Sequence, residues 1–241
     1  MMGKKRAVVF AGYSPNGLIF NDVFAYWREL RKYADYIIAV FDNDGLPKSE
    51  LDKLPNYVDA CILSRHGEYD FGSYKRGFFF LKEKGILDKV DKLILCNDSV
   101  IFQGRTLEPF FKREEMKDFY GFTSYSRGVL PDTFQWVNLP HIQSYFLSIS
   151  KEIYSQDWFS DFMKSVEKQD EKFNVIAKYE IGISKLIEKH GYELTSFYPR
   201  LDTEPCRVFL SRFRGFNTEQ EELFLLEKRQ YAIAYMNGIM M

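Results

Sequence analysis

Short apolar runs alternate with amphipathic stretches through the first hundred residues of the chain. The apolar runs predict buried strands at Arg6–Gly12, Tyr36–Phe41, Val58–Ser64 and Lys92–Cys96. The stretches between them predict helices at Leu18–Tyr33, Lys48–Lys53 and Gly72–Lys84. This alternation of strand and helix predicts an α/β fold, in which a parallel, doubly wound sheet carries helices on both faces.

The pattern changes in the second half of the chain. Strands are predicted at Asp118–Ser124, His141–Ser150 and Tyr192–Tyr198, a long loop at Ser126–Pro140, and helices at Lys151–Glu167 and Tyr179–His190. We expect one domain over residues 1–198 and a tail over residues 199–241. Thr218 and Glu221 have capping-box spacing, so the tail is predicted to form an amphipathic helix that packs on the domain or on a membrane surface.

Composition narrows the class of protein. With 241 residues, 46% of them hydrophobic, the chain can bury one substantial core. The 33 Lys and Arg nearly balance the 34 Asp and Glu, so the chain has no net positive charge with which to bind nucleic acid. Three cysteines, an odd number without metal-site spacing, indicate reduced thiols, and no apolar stretch has the length of a signal peptide core or a membrane span. We therefore expect a cytoplasmic protein.

Polar residues follow the fourth predicted strand. In doubly wound sheets ligands bind beyond the carboxyl ends of the strands, and Asn97, Asp98 and Ser99 lie at such an end. A carboxylate there can hold a divalent cation, Mg²⁺ or Mn²⁺, that bridges two phosphates. The same residue types also cap helices and form turns for structural reasons alone.

A second candidate lies at the start of the helix that follows the third strand. The segment from Tyr69 to Arg76 combines helix-start N–H groups, hydroxyls and two cations, an arrangement that suits phosphate. The alternative is that Asp70 caps the helix while Lys75 and Arg76 are solvated.

A third candidate is Glu180, in the first turn of a predicted helix that points toward the expected cleft. A glutamate there could accept the proton of an acceptor hydroxyl. The alternative is a favourable pairing of the acid with the helix dipole, which requires no catalysis.

These blocks, read together, resemble one known family. The chain carries D-F-G at residues 70–72, N-D-S at 97–99, H-x-Q-S-Y-F at 141–146, and a Y-E-x-G helix from residue 179 that closes with Gly-Tyr. In this order and spacing the sequence resembles the rhamnan synthesis protein F family of polysaccharide glycosyltransferases, most strongly from Tyr69 to Pro199. The resemblance implies a Rossmann-like nucleotide-diphospho-sugar transferase fold of the GT-A type.

The resemblance also implies a donor, a nucleotide diphosphate sugar linked to dTDP, UDP or GDP. Asp98 stands where related GT-A enzymes place a metal-binding acid, although here it is a single carboxylate where many carry two, so metal dependence stays open. The residues expected to bind the donor are those at the strand-end turns: Tyr13, Asp42, Asp70, Gly72, Tyr74, Arg76, Asn97, Asp98 and Ser99.

By the same resemblance Glu180 is similar in placement to the catalytic acid of inverting GT-A enzymes. Ile181 stands where a second acid is expected, which leaves the assignment of the base open. If Glu180 is the base, transfer inverts the anomeric configuration.

The acceptor is expected on the opposite wall of the cleft. We expect the residues that contact it to be Trp136, His141, Gln143 and Tyr145, together with Phe134 of the predicted loop. Trp136 and Phe134 could equally be loop anchors in the core. A surface polysaccharide or lipid-linked glycan is the implied acceptor, with peripheral contact to the inner face of the plasma membrane through the tail.

Two other functions remain open at the level of sequence. The string Asp42-Asn43-Asp44-Gly45 after an apolar run copies the opening of a haloacid dehalogenase-type phosphatase, but Leu46 and Pro47 stand where that motif needs a Thr or Ser. The other alternative is a non-catalytic saccharide-binding or assembly subunit that keeps the fold.

Overall fold

The computed structural model describes residues 4–102, 106–129, 135–198 and 226–228. The strands of its mixed sheet are β1 Arg6–Gly12, β2 Tyr36–Phe41, β3 Ala60–Leu63, β4 Lys92–Asn97, β6 Phe119–Val129, β7 Trp136–Ile142, β8 Phe146–Ser150 and β9 Thr195–Tyr198. A separate two-stranded ladder joins β5 Val100–Phe102 to β10 Leu226–Lys228. The helices are α1 Asn21–Leu30, α2 Lys48–Leu51, α3 Tyr69–Glu83, α4 Glu108–Glu114, α5 Lys151–Tyr154, α6 Asp157–Lys164, α7 Lys172–Val175 and α8 Ile181–Lys189.

The first four strands run parallel in the order β3-β2-β1-β4, which confirms the prediction for this half. The parallel arrangement does not extend to the second half, where β8 is antiparallel to β4 and β6 is antiparallel to both β7 and β8. Only residues 130–135 connect β6 to β7. So short a connection cannot hold the crossover that parallel strands require.

The predicted loop Ser126–Pro140 and the predicted strand His141–Ser150 are both corrected by this hairpin. Most of the predicted loop lies in β6 and β7, while residues 130–134 lie outside the described part of the chain. The predicted strand His141–Ser150 is interrupted, because β7 and β8 pair with successive parts of β6. Ile142 lies opposite Ser124 and Leu147 lies opposite Gly121, so five steps along this segment correspond to three steps along β6. The two extra residues, Ser144 and Tyr145, form a turn after Gln143, whose N–H still donates to Thr123 O. Bulges of this kind re-aim side chains and are common beside functional sites.

Other boundaries shift by a few residues. Helix α3 begins three residues before the predicted Gly72, and the predicted helix Lys151–Glu167 divides into α5 and α6. In the tail, residues 226–228 extend as β10, and the predicted capping box at Thr218 and Glu221 lies outside the described residues.

The core lies on both faces of the sheet, as alternating strand residues require. On one face Phe10 packs edge-on against Trp27 of α1, with ring centroids 5.2 Å apart. On the other face Val9 lies in a cluster with Phe78 of α3 and Ile187 of α8. Within the described residues no helix has the length and apolarity to span a bilayer.

The described cysteines fit the expectation of reduced thiols. Cys61 and Cys96 are free, and Cys206 lies outside the described residues. Burial raises the pKa of Cys61 to about 11, so this group stays a thiol at neutral pH.

Candidate active site

The turns after β1, β2 and β4 are tied together at the carboxyl edge of the parallel strands. The peptide N–H of Tyr13 donates to Asp98 Oδ2 at 2.9 Å, and the N–H of Asp98 donates to Ala11 O at 3.1 Å. Ser14 and Asn43 exchange two hydrogen bonds, of 3.0 and 2.7 Å, between main chain and amide. These bonds fix the strand-end turns in which the donor residues are predicted.

Asn97 connects three parts of this edge. Its side chain is buried; Nδ2 donates to Asp70 Oδ2 at 2.7 Å, and Oδ1 accepts from the N–H and hydroxyl of Ser99 at 3.1 and 2.6 Å. Its N–H donates to Tyr145 O at 3.3 Å. The structure therefore brings together two of the predicted blocks, the one around Asp70 and the one around Asn97.

Asp70 does not cap helix α3. The N-cap position is Glu68, which makes no side-chain capping bond, and Asp70 lies in the first turn with its carboxylate on Asn97. Beside it Tyr69 is 40% exposed and has a φ of 55°, in the left-handed region that costs a non-glycine residue roughly 1–2 kcal/mol. Such outliers cluster at ligand sites, so Tyr69 joins the candidate donor residues.

Asp42 holds the turn after β3. Its carboxylate accepts from the N–H of His66 at 2.7 Å and from the N–H of Gly67 at 3.1 Å, and its carbonyl accepts from Arg65 at 2.8 Å. Both oxygens face the main chain of this turn, since Oδ2 also lies 3.1 Å from the N–H of Gly67. A phosphatase nucleophile needs an open oxygen, so this geometry disfavours the alternative based on Asp42 and Asp44.

His66 forms a buried polar link between that turn and α3. Its Nδ1 accepts from the N–H of Glu68 at 3.0 Å, which leaves Nε2 to donate to Ser73 Oγ at 3.1 Å. Burial, followed by the charge of Arg76, lowers the pKa of His66. Gly72 is required here, because a Cβ at this position would lie 2.5 Å from His66 Nδ1.

The other predicted groups of this helix point inward. Arg76 donates to Glu68 Oε2 at 2.7 Å and to Gly72 O at 2.9 Å. Tyr74 is fully buried, and its hydroxyl donates to Ser144 O at 2.9 Å, so it links α3 to the β7–β8 turn rather than lining an open surface. Burial raises the pKa of Tyr74 well above its ordinary value.

Glu180 reaches that same turn. It ends a π-helical turn, Ile176–Glu180, and its Oε2 accepts from the N–H and the hydroxyl of Ser144 at 2.7 and 2.6 Å. A π turn within a helix is frequent at functional sites. The carboxylate is thus bound by the strand interruption and not by the N–H groups of α8, which disfavours a pure helix-dipole role.

Three of the predicted acceptor residues, His141, Gln143 and Tyr145, are buried, and His141 faces Glu180. His141 Nε2 lies 3.9 Å from Glu180 Oε1, and Gln143 Oε1 accepts from Thr123 Oγ1 at 2.9 Å. Tyr145 is 5% exposed, and burial raises its pKa. Trp136 begins β7, opposite Val129, while Phe134 lies outside the described residues.

The donor set for a metal is incomplete. In the described part of the chain no three His, Cys, Asp or Glu side chains cluster as metal ligands. Asp98 already uses one oxygen for Tyr13 N–H. A Mg²⁺ or Mn²⁺ ion on Asp98 therefore stays a prediction.

An aromatic ring and a cation are among the exposed groups at this edge. Tyr13 is 46% exposed, and the guanidinium carbon of Arg65, whose side chain is 48% exposed, lies 5.0 Å from its ring centroid. A cleft of about 440 Å³ lies at the opposite edge between Lys5, Lys32 and Lys112. We place the site at the carboxyl edge, because that cleft is remote from all the predicted residues.

Four residues were not selected by the sequence prediction: Arg65, His66, Tyr69 and Ser144. The strand-end rule pointed to the turn after β3, where Arg65 and His66 lie, but selected no residue in it. Ser144 belonged to a recognised block, yet its contact with Glu180 depends on the strand interruption.

Comparison with curated proteins finds distant relatives. The chain is 26% identical over 188 residues to an uncharacterised protein, y4gN, of Sinorhizobium fredii, covering 77% of this chain and 46% of that protein. It is 26% identical over 202 residues to the virulence protein VirA of Vibrio anguillarum, covering 81% of this chain and 60% of that protein. The chain thus spans about half the length of the curated relatives it matches.

Solved structures share the fold. A 4-diphosphocytidyl-2C-methyl-D-erythritol synthase matches with a TM-score of 0.50 and 9% identity over 88% of this chain and 99% of that chain. A structure described as a nucleotide-diphospho-sugar transferase of Desulfovibrio desulfuricans matches with a TM-score of 0.50 and 14% identity over 99% and 96% of the two chains. The architecture is that of the nucleotide-diphospho-sugar transferases, as predicted.

A family assignment comes from a third comparison. The family model of rhamnan synthesis protein F matches residues 37–227, most of the chain, including the blocks around Asp70, Asn97, Ser144 and Glu180. The chain belongs to the rhamnan synthesis protein F family.

Proposed function

We propose that the protein is a glycosyltransferase that moves a sugar from a nucleotide diphosphate to a hydroxyl of a growing surface polysaccharide or lipid-linked glycan. One observation carries the proposal: the predicted donor side and the predicted base are connected through α3. Asp70 contacts Asn97, and Tyr74, one helical turn further on, contacts Ser144, which holds Glu180. Rhamnose is the first donor sugar to test, because of the family.

The exposed groups of the edge support a nucleotide diphosphate as donor. Tyr13 offers a ring on which a base can stack, and Arg65 offers a cation for the diphosphate. Asp98 and Asp70 add negative charge, so an anionic donor needs compensation here. Arg65 supplies part of that compensation.

Glu180 is the proposed general base. Ser144 occupies Oε2 with two hydrogen bonds, so Oε1 is the oxygen proposed to take the proton of the acceptor hydroxyl. The deprotonated acceptor oxygen attacks the anomeric carbon, the bond from that carbon to the diphosphate breaks, and the nucleotide leaves with the electron pair. This single displacement inverts the anomeric configuration.

The location of the protein in the cell is proposed from the nature of the acceptor. A lipid-linked glycan would place the protein in the cytoplasm, at the inner face of the plasma membrane. The tail predicted to touch that surface lies outside the described residues, apart from the strand at 226–228.

Calorimetry with dTDP, UDP and GDP, with and without Mn²⁺, tests the donor side. We expect one nucleotide to bind, and Arg65→Ala to weaken it about tenfold, the loss of one charge-assisted contact. Lys164→Ala is the matched control, because Lys164 is 64% exposed and pairs with Asp161 on α6. Failure of all three nucleotides to bind at millimolar concentration would overturn the proposal.

A further inference from the structure

The ring of His141 has a defined orientation. Its Nδ1 lies 2.8 Å from Leu139 O, and a carbonyl oxygen can only accept, so Nδ1 carries a hydrogen. In the neutral ring the lone pair is then on Nε2. That atom faces Glu180 Oε1 at 3.9 Å, about 1 Å longer than a direct hydrogen bond.

The two carboxylate oxygens of Glu180 differ in their surroundings. Oε2 accepts two hydrogen bonds from Ser144, whereas Oε1 faces the histidine. The side chains of His141 and Glu180 are only 4% and 13% exposed. A nitrogen lone pair opposite a carboxylate is repulsive at low dielectric, and one proton between them turns the repulsion into an ion pair or a hydrogen bond. The pair is therefore built to take up one proton.

We propose that His141 is a positioning residue that shares the proton which Glu180 Oε1 removes from the acceptor hydroxyl. This inference rests on the proposed function. The acceptor O–H bond breaks, the proton passes through Oε1 to the lone pair of His141 Nε2, and the carboxylate is restored beside an imidazolium. No oxidant or further reactant is needed. The role differs from direct contact with the acceptor, for which His141 is too deeply buried.

The other titratable groups around the pair do not compete for this proton. Tyr125 lies edge-on to His141, with ring centroids 5.9 Å apart, and Tyr74 and Tyr145 lie near Glu180. Burial raises the pKa of Tyr74 and Tyr145, so both stay neutral phenols. Among the described residues, no lysine or arginine pairs with Glu180.

Nitrogen NMR of protein labelled with ¹⁵N-histidine tests the proposal without any activity. The chain has three histidines, so His66→Gln, His141→Asn and His190→Asn assign the signals. We expect His141 to be neutral with its hydrogen on Nδ1 at the pH of the transfer assay. A hydrogen on Nε2, or an imidazolium at that pH, would overturn the proposal, because neither form can take up the proton.

Kinetics supply the second readout. The amide of His141→Asn can still donate to Leu139 O but has no group in place of Nε2. We expect turnover to fall about tenfold to a hundredfold with donor KM unchanged, less than the loss of the base itself. The acidic limb of the pH–rate profile should move to lower pH, since a histidine no longer has to be neutral.

His190→Asn is the control, because His190 is exposed and stacks on Trp158, 4.2 Å away, at the far end of α8. His141→Gln serves if His141→Asn does not fold. Turnover and profile equal to wild type in the folded variant would refute the role. Absence of sugar transfer by the wild type would instead refute the proposed function, while the NMR result would still decide the state of the pair.

Discussion

Two groups of buried or half-buried charges lie at opposite edges of the sheet. At the amino edge Glu114, fully buried, pairs with Arg6 at 2.9 Å and lies 3.9 Å from Lys92. At the carboxyl edge the carboxylates accept from peptide N–H groups instead: Asp42 from His66, Asp98 from Tyr13, and Glu180 from Ser144. The first group compensates its charge with cations of the protein, whereas the second is oriented by the main chain.

This difference indicates that the first group contributes to stability and the second group to function. A buried carboxylate paired with cations contributes to the stability of the fold, because removing it leaves the buried cations uncompensated. A carboxylate fixed by N–H groups keeps its charge and its direction, which is what a base or a ligand contact requires. We therefore expect variants at the two edges to have opposite signatures.

The largest effect is expected at Glu180. Glu180→Gln removes basicity but keeps an oxygen to accept from Ser144, so turnover should fall about a hundredfold to ten-thousandfold. Donor affinity and the free energy of unfolding should change little. Steady-state kinetics and calorimetry on the same preparation check this, and near-normal transfer would remove Glu180 from the mechanism.

The reverse signature is expected at Glu114. Glu114→Gln leaves Arg6 and Lys92 as buried cations without their carboxylate, and should lower the free energy of unfolding by about 3–5 kcal/mol. Chemical denaturation measures this loss. Glu108→Gln is the control, since its pair with Lys112 is exposed and should matter little. Turnover per folded molecule should stay at the wild-type value in both variants.

The two edges were not equally predictable from sequence. The apolar runs that became β1, β2 and β4 gave their bounds almost residue by residue, and the strand-end rule correctly brought Asp70 near Asn97. The strand interruption at Gln143–Tyr145 was hidden, because the residues on both sides continue the strand pattern and only pairing with β6 divides them. The buried group around Glu114 depends on contacts between distant segments, which no local pattern reports.

A smaller effect is expected from the turn after β3. Gly72→Ala places a Cβ 2.4 Å from that of Glu68 and 2.5 Å from the His66 ring, so we expect a loss of about 1–3 kcal/mol and weaker donor binding. Gly182→Ala is the matched control within a helix, because the nearest atom to its Cβ is 3.9 Å away. Equal stability of the two variants would contradict this account of the turn.

The smallest effect is a pH dependence of stability. Because burial lowers the pKa of His66, the unfolded chain binds its proton more readily than the folded protein. This contribution to stability is full above the unfolded pKa of about 6.5 and is lost as the pH falls through and below that value. His66→Gln should remove this component, seen by denaturation at pH 7 and pH 5. An unchanged difference between the two pH values would show that His66 does not contribute.

The central claim, transfer of a sugar from a nucleotide diphosphate at the carboxyl edge, is tested most directly by identifying both products of one reaction. The protein is incubated with the nucleotide sugar selected by calorimetry and a glycan acceptor, and the released nucleotide and the new linkage are analysed. The account predicts free nucleoside diphosphate and a glycoside of inverted anomeric configuration, both strongly reduced in Glu180→Gln. Release of pyrophosphate would indicate nucleotidyl transfer instead. That result, or a product of retained configuration, would contradict the account.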